Sequence, residues 1–178
     1  MAGLSWPLEM NKIRGETRNN TFGWVRSGGQ QRHQGWDLEA APGTPCFAIA
    51  NGVIRWAGHI KKYGTTIVLE FEYQGSTLYA TYAHLSAIYV RKDAPVTQGD
   101  MIGLTGRTGN ASTLPLSEAH LHFAIHTMEL PQIGLTGYVN PMRLYGFMPI
   151  DTIHGDYLGK SYAIRSKGGL RVPGVNAP

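Results

Sequence analysis

Two histidines stand two residues apart in the apolar run Ala119-His120-Leu121-His122-Phe123-Ala124-Ile125. On a strand, side chains alternate between faces, so both imidazoles would share one face while Leu121, Phe123 and Ile125 share the other. Two rings above a packed floor suit a metal or a proton transfer. Two more segments offer partners. His33 and Asp37 are four apart in His33-Gln34-Gly35-Trp36-Asp37-Leu38, and the neighbouring glycines favour a turn that brings both inward over a helix that would align them. His84 closes an alternating run in which Leu78, Ala80 and Tyr82 share its face, which places it at a strand end. Zinc takes nitrogen and carboxylate oxygen in a tetrahedral shell, and a catalytic site keeps three protein ligands and one open position. Two histidines and one aspartate would fill that shell. The two histidines left over could move protons or stabilise an oxyanion, the other needs of a hydrolase attacking an amide.

The elements that must position these groups read as β-structure. With 178 residues, 42% of them hydrophobic, the chain fits one domain with a sizeable core, and its 23 glycines and 10 prolines are dispersed as turn formers. Residues 1–32 carry many turn formers and little periodicity, which predicts an irregular arm over the surface. Asn51-Gly52 interrupts a β-type run from Cys46 to Ala57 and predicts a hairpin there. Thr65 to Tyr73 and Thr77 to Leu85 alternate as strands joined by Gln74-Gly75-Ser76, and Met101 to Gly106 is a further short strand. Residues 107–118 form a long loop leading to His120, and loops of that length in a compact domain are often functional. Behind Asn140-Pro141 one helical turn is expected over Met142 to Tyr145, and from Gly146 no pattern is visible, which predicts an irregular tail. The architecture expected is all-β, with two antiparallel sheets forming an open groove and little helix. Its parts are an arm at 1–19, a core at 20–145, and an extension at 146–178 packed on the core or mobile.

Composition narrows the partners. Sixteen basic and 12 acidic residues leave a charge of +4, but no basic run exceeds Lys61-Lys62, so no nucleic-acid stripe is expected. Cys46 is the only cysteine, which excludes an intrachain disulfide and a thiolate metal cluster. No run of 18 apolar residues suggests a membrane span, and Met1 to Pro7 lacks the pattern of a secretory signal.

Taken together, His33-Gln34-Gly35-Trp36-Asp37, Tyr82-Ala83-His84-Leu85 and His120-Leu121-His122-Phe123 resemble the three motifs of the lysostaphin-like (LytM-type) zinc endopeptidases. Those enzymes cut peptide cross-links of bacterial peptidoglycan. Phe22-Gly23-Trp24-Val25-Arg26, Gly52-Val53-Ile54, the segment from Val96 to Gly103 and Asn140-Pro141 extend the resemblance over about residues 20–145. The resemblance implies the fold of that family, of the duplicated-hybrid-motif type. It implies zinc held by His33, Asp37 and His122, with His84 and His120 as catalytic histidines, without dividing roles between those two. The substrate implied is a peptidoglycan stem or bridge peptide, cut outside the cytoplasmic membrane. With no export signal in view, a longer precursor is expected, or delivery by another route as a secretion-machine toxin or a phage lysis or tail protein, with a secretion, phage or immunity-protein partner. The loop Thr108 to Glu118 is longer than is common in the family, and Glu118-Ala119 replaces a frequent Gly-Pro pair, so substrate preference is where a difference is expected.

Other readings fit less well. A non-catalytic LytM-type activator would lack the zinc ligands that this chain retains, a hedgehog-like D,D-carboxypeptidase separates its first His and Asp by a longer spacer, and a lipoyl- or biotinyl-like carrier would need a lysine at a hairpin tip. His126 shares the face of His122 but lies about 13 Å further along a strand, so it reads as structural or solvent-facing, as do His59 and His154. Trp36 and Tyr82 read as core or wall packing, Cys46 as a small buried hydrophobe, and Lys61-Lys62 and Arg91-Lys92 as solvated loop charges.

Overall fold

The computed structural model describes residues 3–150 and, for the backbone alone, 152–157, 160–165 and 168–171. In chain order the strands are β1 (Gly23–Arg26), β2 (Gln31–His33), β3 (Trp36–Glu39), β4 (Pro45–Phe47), β5 (Gly52–Ile60), β6 (Gly64–Tyr73) and β7 (Ser76–Ile88). They continue with β8 (Pro95–Val96), β9 (Met101–Thr105), β10 (His120–His126) and β11 (Tyr138–Val139), followed by a single helical turn, α1 (Met142–Tyr145). The molecule is mostly β-sheet with little helix, as expected. The expected sheets are continuous through one long strand. β7 pairs with β10 over Tyr79 to Ala83 and with β9 over Leu85 to Ile88, so it belongs to both halves of a nine-stranded antiparallel sheet. β1 and β2 form a separate two-stranded ribbon.

The alternation read from the sequence decides which side chains meet. From β10, Leu121, Phe123 and Ile125 enter the core together with Ile67, Leu69 and Phe71 of β6 and Leu78 and Tyr82 of β7. The Tyr82 hydroxyl, buried with them, accepts a hydrogen bond from the Ile49 amide at 3.1 Å. Cys46 is buried, and burial pushes its thiol up to about 12, which keeps it protonated.

Four expectations are corrected. The N-terminal arm does not simply run over the surface, because Trp6, Leu8 and Ile13 are all buried and Trp6 stacks on Tyr145 of α1 at 4.3 Å between ring centroids. Single apolar residues spaced by turn formers carry no period, yet each buries enough surface to be worth roughly 2–3 kcal/mol. No hairpin forms at Asn51-Gly52: β4 pairs with β9, whereas β5 pairs with β6 and β8. Gly52 serves a close approach instead, since a Cβ there would meet the Glu70 carbonyl, and the Asn51 side chain accepts from the Gln98 amide at 2.8 Å. His84 lies inside β7 and not at its end. Finally, the segment expected to be irregular after Gly146 contains β12 (Thr152–Tyr157), β13 (Lys160–Arg165) and β14 (Gly168–Arg171), an antiparallel three-stranded sheet. The side chain of His154 lies outside the described residues.

Candidate metal centre

Register places the first three polar groups. β3 pairs with β10 so that Asp37 stands directly opposite His122, and the two-residue turn Gln34-Gly35 swings His33 back over the same point. Gly35 is required there, because a Cβ would collide with the Phe123 carbonyl of β10. As a result His33 Nε2 is 3.0 Å from Asp37 Oδ1 and 3.1 Å from His122 Nδ1, and His122 Nδ1 is 2.9 Å from Asp37 Oδ1. All three residues are buried and their donor atoms could hold one metal ion. A tetrahedral zinc with bonds of about 2.0 Å separates its ligand atoms by about 3.3 Å, so the triangle is slightly tighter than that spacing and its donors are of the kind that zinc takes.

Partners behind the triangle orient it. His33 Nδ1–H donates to the Thr21 carbonyl at 2.9 Å, which leaves its Nε2 lone pair facing the triangle. Arg26 Nη2 donates to Asp37 Oδ2 at 2.5 Å while its Nε donates to the Asn19 carbonyl at 3.0 Å, so one carboxylate oxygen is clamped and the other faces inward. Burial alone would raise the Asp37 carboxyl, but the imidazoles of His33, His122 and His120 outweigh it and hold it well below the usual carboxylate range. Burial drives the His122 imidazole down to about 4 against the pull of Asp37, which keeps it neutral and able to ligate.

His84 and His120 are built alike. His84 Nδ1–H donates to the Thr108 carbonyl and His120 Nδ1–H to the Glu118 carbonyl, each at 2.9 Å, so both present Nε2 to the centre. His120 Nε2 lies 3.7 Å from Asp37 Oδ1, and the His84 and His120 rings meet edge to face at 5.1 Å. His84 takes φ +63, an uncommon left-handed conformation for a residue other than glycine. The irregularity falls where β7 leaves β10 for β9, and the His84 amide bonds the Tyr63 carbonyl at 2.8 Å. Burial, with His122 and His120 adding to it, lowers His84 to about 3, and burial also lowers His120 despite Asp37. Burial thus disfavours the charged form of both rings.

The five residues singled out in the sequence therefore converge, and His126 and His59 do not join them. His126 is buried on its own hydrogen bonds and His59 is exposed. The structure adds residues that the sequence reading passed over. Arg26 stood only in a supporting segment. Tyr63 packs its ring 5.6 Å from that of His122 and donates to Gln34 Oε1 at 2.5 Å, while Gln34 donates to the carbonyls of Gln132 and Gly134 at 2.6 Å each. The centre thus lies in a groove of about 610 Å³ with residues 131–134 on one wall and the tip of the β5–β6 hairpin on another.

Residues 31–134, more than half of the chain, match the family described as Peptidase family M23. The chain belongs to peptidase family M23. It is 31% identical over 121 residues to the cell division protein DipM of Caulobacter vibrioides, covering 67% of this chain and 17% of that protein. To the DD-carboxypeptidase/endopeptidase Mpg of Neisseria meningitidis it is 40% identical over 91 residues, covering 51% of this chain and 19% of that one. The chain matches about a fifth of the length of these curated relatives. Among solved structures, the catalytic domain of lysostaphin from Staphylococcus simulans superposes with a TM-score of 0.55 at 29% identity, covering 72% of this chain and 88% of that one. M23 is a metallopeptidase family. All five converging residues lie within the segment that matches M23, whereas Arg26 and the Thr21 carbonyl come from the stretch before it.

Proposed function

We propose that this M23 domain is a zinc-dependent endopeptidase that hydrolyses peptide cross-links of bacterial peptidoglycan. The observation that carries the reading is the His33–Asp37–His122 triangle with two further histidines anchored at Nδ1 beside it, all opening on one groove. In this reading His33 Nε2, Asp37 Oδ1 and His122 Nδ1 hold the zinc. Bound there, zinc supplies Lewis acidity, making a water nucleophilic near neutral pH and polarising the scissile carbonyl. The chain's own residues do the rest. One of His84 and His120 takes the proton of the attacking water at Nε2, and the other donates a hydrogen bond or proton at the scissile amide once its own Nε2 has taken up a proton. Carbonyls on both Nδ1 atoms keep each ring in the tautomer whose Nε2 is free to accept. Arg26 fixes the Asp37 carboxylate, and Tyr63 with Gln34 holds the groove wall at residues 132–134.

The substrate lies outside the cytoplasmic membrane, so the domain acts in a periplasm or cell wall. No helix among the described residues is long and apolar enough to cross a membrane. The test is digestion of purified sacculi of the diaminopimelate and glycine-bridged types, with and without a chelator, followed by mass analysis of the fragments. Chelator-sensitive release of cross-link fragments is expected. Intact sacculi of both types, with zinc confirmed on the protein, would overturn the reading.

A further inference from the structure

The cations that line the groove are unequally answered. Arg14 is paired with Glu118 at 3.1 Å and Arg26 with Asp37. Arg32, Lys61 and Lys62 also line it, and among the described residues none of the three has a carboxylate partner; Arg32 only lies over the Trp24 ring at 5.8 Å. Among the described residues the single carboxylate in the lining is Asp37, which is buried and already clamped. The three unanswered cations flank the centre from two sides. Arg32 precedes His33 on β2, and Lys61-Lys62 form the hairpin tip just before Tyr63, whose carbonyl receives the His84 amide at 2.8 Å. That tip is held in place, because the Lys62 carbonyl accepts the Asn110 amide at 3.0 Å and Thr108, whose carbonyl orients His84, also bonds the Thr65 amide at 2.9 Å.

We propose that Arg32, Lys61 and Lys62 select a stem peptide bearing free carboxylates, so that the groove prefers an anionic diaminopimelate-type cross-link to a neutral oligoglycine bridge. This rests on the endopeptidase reading for its substrate, but the charge selectivity is measurable without cleavage. An exposed cation contributes only a factor of a few to an anion's affinity. Three in one groove add up, and the field they set decides between two substrates that are otherwise both extended peptides. An oligoglycine bridge offers these side chains no charge to meet. Glu39, Glu70 and Glu72, which would repel an anionic peptide, are absent from the lining.

The experiment is calorimetric titration of the protein with an uncross-linked stem tetrapeptide, once with its free carboxylates and once with those carboxylates amidated. The free acid is expected to bind about fivefold more tightly at low salt, with the ratio shrinking towards one in about 0.5 M salt. In K61Q/K62Q and in R32Q the ratio should fall, with circular dichroism showing an unchanged fold. Equal affinities for the two peptides, or a ratio that persists in K61Q/K62Q, would overturn the proposal. So would an oligonucleotide that binds as tightly as the free-acid peptide, since that would mark a general polyanion surface. Cross-linked dimers of the same two stems separate this inference from the reaction itself. A binding preference with neither dimer cut defeats the hydrolysis and leaves the selectivity standing. Equal cleavage with equal affinities does the reverse.

Discussion

His122 and His126 stand four residues apart on one face of β10, both are buried, and burial lowers both imidazoles to about 4. Their surroundings differ in one respect that matters. Opposite His122 is Asp37 of β3, with His33 folded over it. Opposite His126 is Tyr138 of β11, and its ring nitrogens are used up by neutral partners: Nδ1–H donates to the Met128 carbonyl at 2.6 Å and Nε2 accepts from the Thr81 hydroxyl at 2.7 Å. The rings of Tyr79 and Tyr138 close the space around it at 5.9 and 5.3 Å. A buried neutral histidine is therefore common to both ends of the strand. What distinguishes the candidate metal centre is that ring nitrogens of two histidines meet on one carboxylate oxygen at one end, whereas at the other both nitrogens are taken by neutral partners.

The strongest way to break this contrast is to remove the carboxylate. Asp37→Ala and His122→Ala are expected to lower bound zinc from near one equivalent to near none and to abolish cross-link cleavage, whereas His126→Ala should keep its zinc. Metal analysis of the purified proteins checks this, and zinc retained in Asp37→Ala would sink the assignment. Next in size are His84→Ala and His120→Ala, which should lower kcat by roughly 10²–10⁴-fold, the range of a lost proton-transfer group, while zinc content stays near wild type. If His120→Ala strips the metal and His122→Ala does not, the two roles within the motif are exchanged.

How much of this was legible in the sequence follows from the same contrast. Strand period alone separates Leu121, Phe123 and Ile125 from the three histidines of β10, and motif spacing points to His33, Asp37 and His84 as their partners. Pairing is where local reading fails. Nothing in Asn51-Gly52 says that β4 will join β9, some fifty residues on, because that choice is made by long-range register. The bend at His84 is a consequence of β7 serving two partners, and no local turn signal marks it. Trp6 and Leu8 are isolated apolar residues in a turn-rich stretch, and burial of such residues becomes visible only with the surface they cover. Lys61 and Lys62 do read as exposed charges, as the sequence suggests, but their position on the rim of the groove depends on the fold.

Acid sharpens the comparison from the neutral end. His126 takes up a proton at about 6.5 in an unfolded chain and at about 4 in the folded one, because burial outweighs the Met128 carbonyl and the nearby His122 adds to the depression. Between those values the unfolded state binds the extra proton. The contribution of His126 is therefore fully present above pH 6.5 and is lost as pH falls, amounting to about 3 kcal/mol by pH 4. Denaturant unfolding of wild type and His126→Gln at pH 7 and pH 4 checks this. The wild type should lose about 3 kcal/mol more than the variant over that interval, and parallel losses would show that His126 does not titrate across the range.

Arg26 supplies the charge that the His126 end lacks, and its removal should give the smallest effect. With Nη2 on Asp37 Oδ2 and Nε on the Asn19 carbonyl, the guanidinium spans two fixed points and leaves only Oδ1 directed at the candidate metal site. Outer partners of this kind change metal affinity by about 10–100-fold. Arg26→Ala should accordingly weaken zinc binding by that factor in a chelator competition while leaving the ligands in place. Arg26→Lys tests which property matters, because an ammonium keeps the charge but cannot hold both acceptors as the planar fork does. If orientation is what Arg26 provides, the lysine variant should recover only part of the affinity. Complete recovery would mean that charge alone suffices. Unchanged affinity in Arg26→Ala would show that the histidines around Asp37 already fix the carboxylate without it.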